Sequence, residues 1–340
     1  MAQHFLLSAK ARGLSVATVA RMSDKEAFEE FKALRWPEGQ VTCPECGCIR
    51  EHYFQRTRTR WRCKDCGKTF SLTSGTIFAH HKLPLRIYLL AIAIFTNAVK
   101  GMSALQLARD LDVQYKTAYV LAHKIREALY QQRDLTPMKG EVHVDGAYVC
   151  GHVRPRNKRK HRKDRRLAKN QNPNKRCIIN MSLRHATANL DGAVGSRRTI
   201  TFVLKSENSA DIVPIVRQYV LPGSLICCDE NVAYDELHRY YRTERVNHQE
   251  EYRSDAGYSN NMAESFFARM RRNQRGQHHK YGVKYVVFYA NEVAYRQDHR
   301  RTNPRDVFAD IGRKCANTPT SRNWCGYWQG NKLSGEILGL

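Results

Sequence analysis

Apolar and polar positions alternate in two distinct rhythms along this chain. Ser23-Asp24-Lys25-Glu26 is followed by Ala27, Phe28, Phe31 and Leu34, a capping box ahead of apolar residues at helical spacing. The pattern predicts a helix that ends near Trp36, before Pro37. Residues 41–70 change to turn glycines and short β-like runs such as Trp61-Arg62-Cys63. Leu85 to Ala98 is apolar nearly all round and reads as a buried helix, broken at Gly101-Met102-Ser103. Apolar residues at 105, 108, 111, 113, 118 and 121 fit two short helices packed across a turn. The second would carry Gln114, Lys116, Thr117, His123 and Lys124 outward, where such side chains reach phosphates and base edges.

Pro137 and Gly140 mark a boundary within Asp134–Gly140. Beyond it, strand-like runs appear at 141–145, 177–181, 199–204 and 224–229, interrupted by a helical stretch at 211–219. From about Asn260 the pattern is helical again. Mixed strands and helices over 141–300 predict one α/β domain. The expected organisation is an N-terminal helical segment (1–40), a metal-binding ribbon (41–72), a helical DNA-binding region of helix-turn-helix type (80–135), a catalytic α/β domain (141–305) and a C-terminal tail (306–340).

Charge narrows the partners. With 57 Lys and Arg against 32 Asp and Glu, the formal net charge is +25. Nucleic acid is the leading counterpart for such an imbalance, ahead of an acidic membrane surface. Between Arg154 and Arg176, twelve of 23 residues are basic and only Asp164 is acidic. The block contains no aromatic residue, so contact with phosphates is its expected mode, and Arg159, Lys160 and Arg162 are candidates. The apolar run Ile87–Phe95 is too short to span a bilayer. The order of charged, apolar and small residues expected of a signal peptide is missing at the start, and eleven cysteines is an odd number. A reducing compartment with metal-bound thiolates is expected rather than a disulfide framework.

Cys43-Pro-Glu-Cys46-Gly47 and Cys63-Lys-Asp-Cys66-Gly67 are two C-x2-C pairs with 16 residues between them. Four thiolates at this spacing can surround Zn²⁺ as a tetrahedron, and the glycine after each pair permits the turn that aims both sulfurs at one point. A closed set of four cysteines leaves no open position, so the zinc would be structural. Cys48 breaks the paired pattern.

Three acids stand out by setting. Asp145 follows a strand pattern, Asp229 closes the apolar run Leu225–Cys228, and Glu264 lies 34 residues beyond Asp229 in a helical pattern. A strand-borne Asp, a strand-end Asp and a helix-borne Glu form the ligand layout of an RNase H-like polynucleotidyl transferase. Carboxylate oxygens suit Mg²⁺ or Mn²⁺, two of which would activate the attacking oxygen and stabilise the leaving one in phosphodiester chemistry. Asn261, one turn before Glu264, competes for the third place. Arg271, two turns after Glu264 on the same face, can bind a phosphate of a DNA end, with Arg269 and Arg272 in the same segment.

Taken in order, these pieces resemble insertion-sequence transposases with an N-terminal zinc ribbon and a DDE catalytic domain. The resemblance runs from about residue 24 to 330. It is carried by Leu34-Arg35-Trp36-Pro37, the two cysteine pairs, Thr73-Ser74-Gly75-Thr76, Tyr115-Lys116-Thr117-Ala118, Val144-Asp145-Gly146-Ala147-Tyr148, Cys228-Asp229, Val246-Asn247-His248, Ala263-Glu264-Ser265-Phe266-Phe267 and Gly276-Gln277-His278-His279. It places the catalytic acids at Asp145, Asp229 and Glu264. Cys150-Gly151 stands where the family tends to carry Gly-Gly, and some relatives use an Asn for the third acid, which keeps Asn261 in contention. The resemblance implies cleavage at the ends of a mobile element and strand transfer to target DNA. It also implies double-stranded DNA as partner, a homo-oligomer that joins two ends, and a prokaryotic cytoplasm beside the nucleoid. The contrasting reading is a zinc-ribbon and helix-turn-helix regulator without catalysis, which would have no need of the acids.

Overall fold

The computed structural model describes residues 5–80, 82–164, 167–185, 195–246 and 258–339. In chain order the elements are α1 (Val16–Ala20), α2 (Asp24–Arg35), β1 (Tyr53–Gln55), β2 (Arg60–Arg62), β3 (Thr69–Phe70), α3 (Leu85–Asn97), α4 (Ala104–Asp110), α5 (Tyr115–Gln131), β4 (Glu141–Val149), β5 (Arg176–Arg184), β6 (Ser196–Leu204), α6 (Ser209–Tyr219), β7 (Leu225–Cys228), β8 (Arg242–Arg245), α7 (Asn261–Asn273), α8 (Val286–Asp298) and α9 (Pro304–Asn317). They form two compact units: Met1–Arg133 with His299–Ser334, and Asp134–Asp298 with Gly335–Leu340.

In the first unit, α2 starts where the capping box requires. The Ser23 N–H donates to Glu26 Oε2 at 2.8 Å and the Glu26 N–H to Ser23 Oγ at 3.3 Å. Ala27, Phe31 and Leu34 are buried, and the helix packs on α3 and α9. The three-stranded antiparallel sheet β1-β2-β3 is seated on α2 through Trp61. Its ring lies 5.7 Å from Phe28, 5.3 Å from Trp36 and 5.9 Å from Phe70. Arg35 adds a polar tie. Its buried guanidinium donates to the carbonyls of Ser71 (2.9 Å), Leu72 (2.5 Å) and Ser74 (2.7 Å), and burial draws its pKa down to about 10.

The helix pair α4–α5 is present, but its faces differ from those expected. Helix α5 has 17 residues and is not short. His123, expected to point outward, is fully buried and stacks on Trp324 at 4.7 Å. Leu105, expected between the helices, is 52% exposed. The cause is a second covering layer on α5, formed by α9 and the segment after it. There Ser321 donates to Glu127 Oε2 at 2.6 Å. Residues 306–340 therefore do not behave as a separate tail. Those up to Ser334 complete the core of the first unit, and the rest join the second.

The second unit is built on a five-stranded sheet in the order β6-β5-β4-β7-β8. β4, β5 and β6 pair antiparallel, whereas β7 joins β4 in parallel and β8 joins β7 in parallel. One face packs Val142, Val144, Ile179, Met181, Ile226 and Cys228 against Ile212, Ile215 and Val216 of α6. Helices α7 and α8 contact the sheet through β4, β5 and β6. Strand β8, Arg-Thr-Glu-Arg, carries no apolar alternation and was not expected; its pairing with β7 is a backbone matter at a sheet edge. Cys150, at the end of β4, adopts a φ of +60°, in the left-handed region. That is where the resemblance places a glycine, and a Cβ is disfavoured there.

Candidate functional site

In the ribbon, each cysteine pair sits on a tight turn. The Gly47 N–H donates to the Cys43 carbonyl at 3.0 Å and the Gly67 N–H to that of Cys63 at 3.1 Å, with φ of +72° and +71° at the two glycines. The turns bring four sulfurs together: Cys43 Sγ lies 3.8 Å from Cys66 Sγ, and Cys46 Sγ 3.6 Å from Cys63 Sγ. A tetrahedron with Zn–S bonds of about 2.3 Å has edges of roughly 3.8 Å, so the four thiols fit a structural zinc. The Cys66 backbone N–H, opposed by burial and aided by the Asp65 N–H, brings the Cys63 thiol down to about 6, while burial and the neighbouring sulfurs raise the thiols of Cys46 and Cys66. Cys48 stays outside the set of four. Its carbonyl accepts from the Cys43 N–H at 2.9 Å, and its thiol faces Asp65 and Arg50.

The acids belong to the second unit. Asp145 lies within β4, and Asp229 directly follows β7. β7 runs parallel to β4 with Glu141 opposite Leu225 and His143 opposite Cys227, so Asp145 and Asp229 each lie two residues beyond that last pair. Glu264 is exposed in the first turn of α7, a helix that packs on β4 and β5. Asn261, one turn earlier, is also exposed. Burial, then the charges of Asp229, Glu207 and Glu264, push the Asp145 carboxyl up to about 7, against the pull of the Gly146 N–H at 2.7 Å. Among the described residues, the three predicted acids are not a group whose ligand atoms all lie within 4.8 Å of one another.

Sequence reasoning missed Glu207. It precedes α6, whose first turn is capped by Asn208, and no motif surrounds it. Its only signal is an acid at the end of the predicted strand 199–204. The fully buried Tyr234 donates its hydroxyl to Glu207 Oε1 at 2.7 Å. A different grouping, Glu141, His143 and Cys227, is tied up by Arg184, which donates to Glu141 Oε1 at 2.9 Å.

The basic candidates fall in both units. Lys116 is exposed at the start of α5, 5.7 Å from the Tyr327 ring, while Thr117 and Lys124 are half-buried. Arg269, Arg271 and Arg272 are exposed along α7, and Arg159, Lys160 and Arg162 are exposed in the long connection between β4 and β5. Arg165 and Arg166 of the basic block, and Asn247 and His248 of the later motif, lie outside the described residues. No helix is long and apolar enough to cross a membrane among the described residues.

Comparison with known proteins supplies the family. Residues 22–69 match the transposase zinc-ribbon domain. Residues 137–298 match the ISXO2-like transposase domain. A protein of Halobacterium salinarum, described as an uncharacterized protein in transposable element ISH50, is 33% identical over 130 residues, which cover 38% of this chain and 42% of that protein. No solved structure matches the chain. Both matches are transposase domains and follow one another in that order, so the chain carries a transposase zinc ribbon ahead of an ISXO2-like transposase domain.

Proposed function

We propose that the protein binds the terminal inverted repeats of its own element, cleaves DNA at the element ends with water as nucleophile, and directs the freed 3′-hydroxyl to attack a target phosphodiester, joining the strands as the target's own 3′-oxygen leaves. The observation that supports this reading is the placement of Asp145 on β4 and of Asp229 just past its parallel neighbour β7, with the charges of Asp229 and Glu264 felt at Asp145. Strand, strand end and following helix are the placement that an RNase H-like transferase needs. The donor set is all carboxylate oxygen, which suits a hard divalent cation. When bound, Mg²⁺ or Mn²⁺ would supply activation of the attacking oxygen and stabilisation of the leaving one. Asp145, Asp229 and Glu264 would hold it. Arg271, with Arg269 and Arg272 on the same helix, would hold the phosphates of the DNA end. Lys116, Thr117 and Lys124 would contact the terminal repeat. Two element ends must be joined, so the working form is a homo-oligomer, acting beside the nucleoid. A regulator that only binds DNA has no use for clustered carboxylates.

The test is incubation of the purified protein with its flanking terminal DNA and Mg²⁺. Cleaved and joined products are expected. Binding without products would favour the regulator, and cleavage without joining would leave a nuclease.

Non-specific affinity is assigned to the basic block. Changing Arg154, Arg156, Lys158, Arg159, Lys160 and Arg162 to Gln should flatten the salt dependence of DNA binding, each lost phosphate contact removing about 0.9 from the log–log slope. Preference for the terminal repeat should survive. An unchanged slope would mean that the block faces solvent.

Asp145 also sets a pH dependence. Its carboxyl is raised from 3.8 to about 7, so the folded protein holds a proton there that the unfolded chain has lost. Stability without metal should fall as pH rises through that window, an effect on the order of a few kcal/mol. Metal would displace the proton, so apparent Mg²⁺ affinity should rise with pH up to about 7 and then level off. Calorimetric Mg²⁺ titrations in two buffers of different ionisation enthalpy read the proton release directly. Equal heats in both buffers at pH 6 would contradict it.

A further inference from the structure

We propose that Glu207 is a fourth carboxylate of the same divalent-cation site, working beside Asp145 and Asp229. The inference rests on the reading of those two acids as cation ligands. It begins with Gly146, the residue after Asp145. Glycine within a strand weakens it and marks a place where something comes close. Gly146 does not have the positive φ that would call for glycine. What it provides is room: a Cβ there would overlap Glu207 Oε1 and the carboxylate carbon behind it. The side chain missing at 146 leaves the space in which the Glu207 carboxylate lies, near enough for its charge to be felt at Asp145.

Two tyrosines hold it there. Tyr234 donates its hydroxyl to Glu207 Oε1 at 2.7 Å, and the Glu207 backbone N–H donates to the Tyr148 hydroxyl at 3.1 Å. Tyr148 is on β4, two residues beyond Gly146, and Tyr234 follows β7. The Glu207 backbone is thus tied to β4, which carries Asp145, and its carboxylate to the segment after β7, which begins with Asp229. Burial raises the Glu207 carboxyl, and the charge of Asp229 adds to the rise. On the α7 side, Asn260 is fully buried with its amide nitrogen 3.5 Å from the Val144 carbonyl, and its Oδ1 has no hydrogen-bond partner among the described residues. That oxygen, next to the residue before Asp145, is an acceptor suited to a water carried by the cation.

A purely structural latch between Glu207 and Tyr234 would predict something different. Breaking it would lower stability and leave metal uptake alone. The experiment therefore reads metal binding: Mn²⁺ is titrated into full-length, zinc-loaded protein, with free Mn²⁺ followed by electron paramagnetic resonance and bound Mn²⁺ by its rise in melting temperature. Glu207→Gln keeps the acceptor for Tyr234 and should weaken Mn²⁺ binding roughly 10- to 100-fold. Gly146→Ala keeps every acid but displaces Glu207, and should weaken binding in the same direction, so it serves if Glu207→Gln does not fold. Asp145→Asn should abolish binding. Wild-type Mn²⁺ affinity in Glu207→Gln or Gly146→Ala, with binding lost in Asp145→Asn, would overturn the role of Glu207 alone. Unchanged affinity in Asp145→Asn would overturn the cation site itself, and the fourth ligand with it.

Discussion

Glu264→Gln should fold and bind element ends as the wild type does, yet lose both cleavage and joining by roughly three orders of magnitude or more, if the cation clamp supplies several kcal/mol. The substitution keeps size and hydrogen-bonding capacity and removes only the charge. Glu264 is exposed in the first turn of α7. Surface changes of this kind normally stay within about 0.5 kcal/mol in stability. Its negative charge nonetheless reaches Asp145 and helps to raise it. Asn261 is the rival. It is exposed one turn earlier on the same helix and carries no charge. Asn261→Ala in parallel separates the two. Wild-type cleavage in Glu264→Gln beside a dead Asn261→Ala would give the third position to Asn261.

Cys43→Ser or Cys63→Ser should release the zinc and loosen residues 41–70, while the second unit stays folded. Both thiols are buried, and each belongs to one of the two close sulfur pairs. Strands of three, three and two residues have little core of their own beyond Trp61 and Phe70. Zinc binding in such a ribbon is folding free energy, apparently about 10–16 kcal/mol at neutral pH in small zinc domains. End binding should weaken in consequence, because the ribbon and α2 share the Trp61 cluster and the Arg35 tie. Zinc content of protein purified without chelator, together with hydrogen exchange over 41–70, checks this. A full-length wild-type protein without bound zinc would end the idea.

Features written in short stretches of chain were legible in advance. The capping box of Ser23 and Glu26, the end of α2 at Arg35 and the buried length of α3 follow from local hydrogen bonding and from a pattern read within a few turns. The four cysteines were legible for the same reason. Each pair and its glycine form one tight turn, so spacing alone constrains where the sulfurs can point. Asp145, Asp229 and Glu264 were each placed on the expected kind of element.

Tertiary structure decided which of these meet. Asp145 and Asp229 are 84 positions apart in the chain, and the charge of one reaches the other only because β7 enters the sheet beside β4 in parallel. Helical phase assigned His123 to solvent because it describes one covered face, whereas Trp324, two hundred positions on, supplies a second. Strand β8 left no trace in the apolar pattern, since an edge strand is held by backbone pairing that any side chains permit. Glu207 was invisible in the same way: an acid after a strand has no motif, and its meaning comes from the space that Gly146 leaves open across the sheet. Local chemistry is encoded by neighbours in sequence, but the approach of distant groups depends on strand order and on where a side chain is missing.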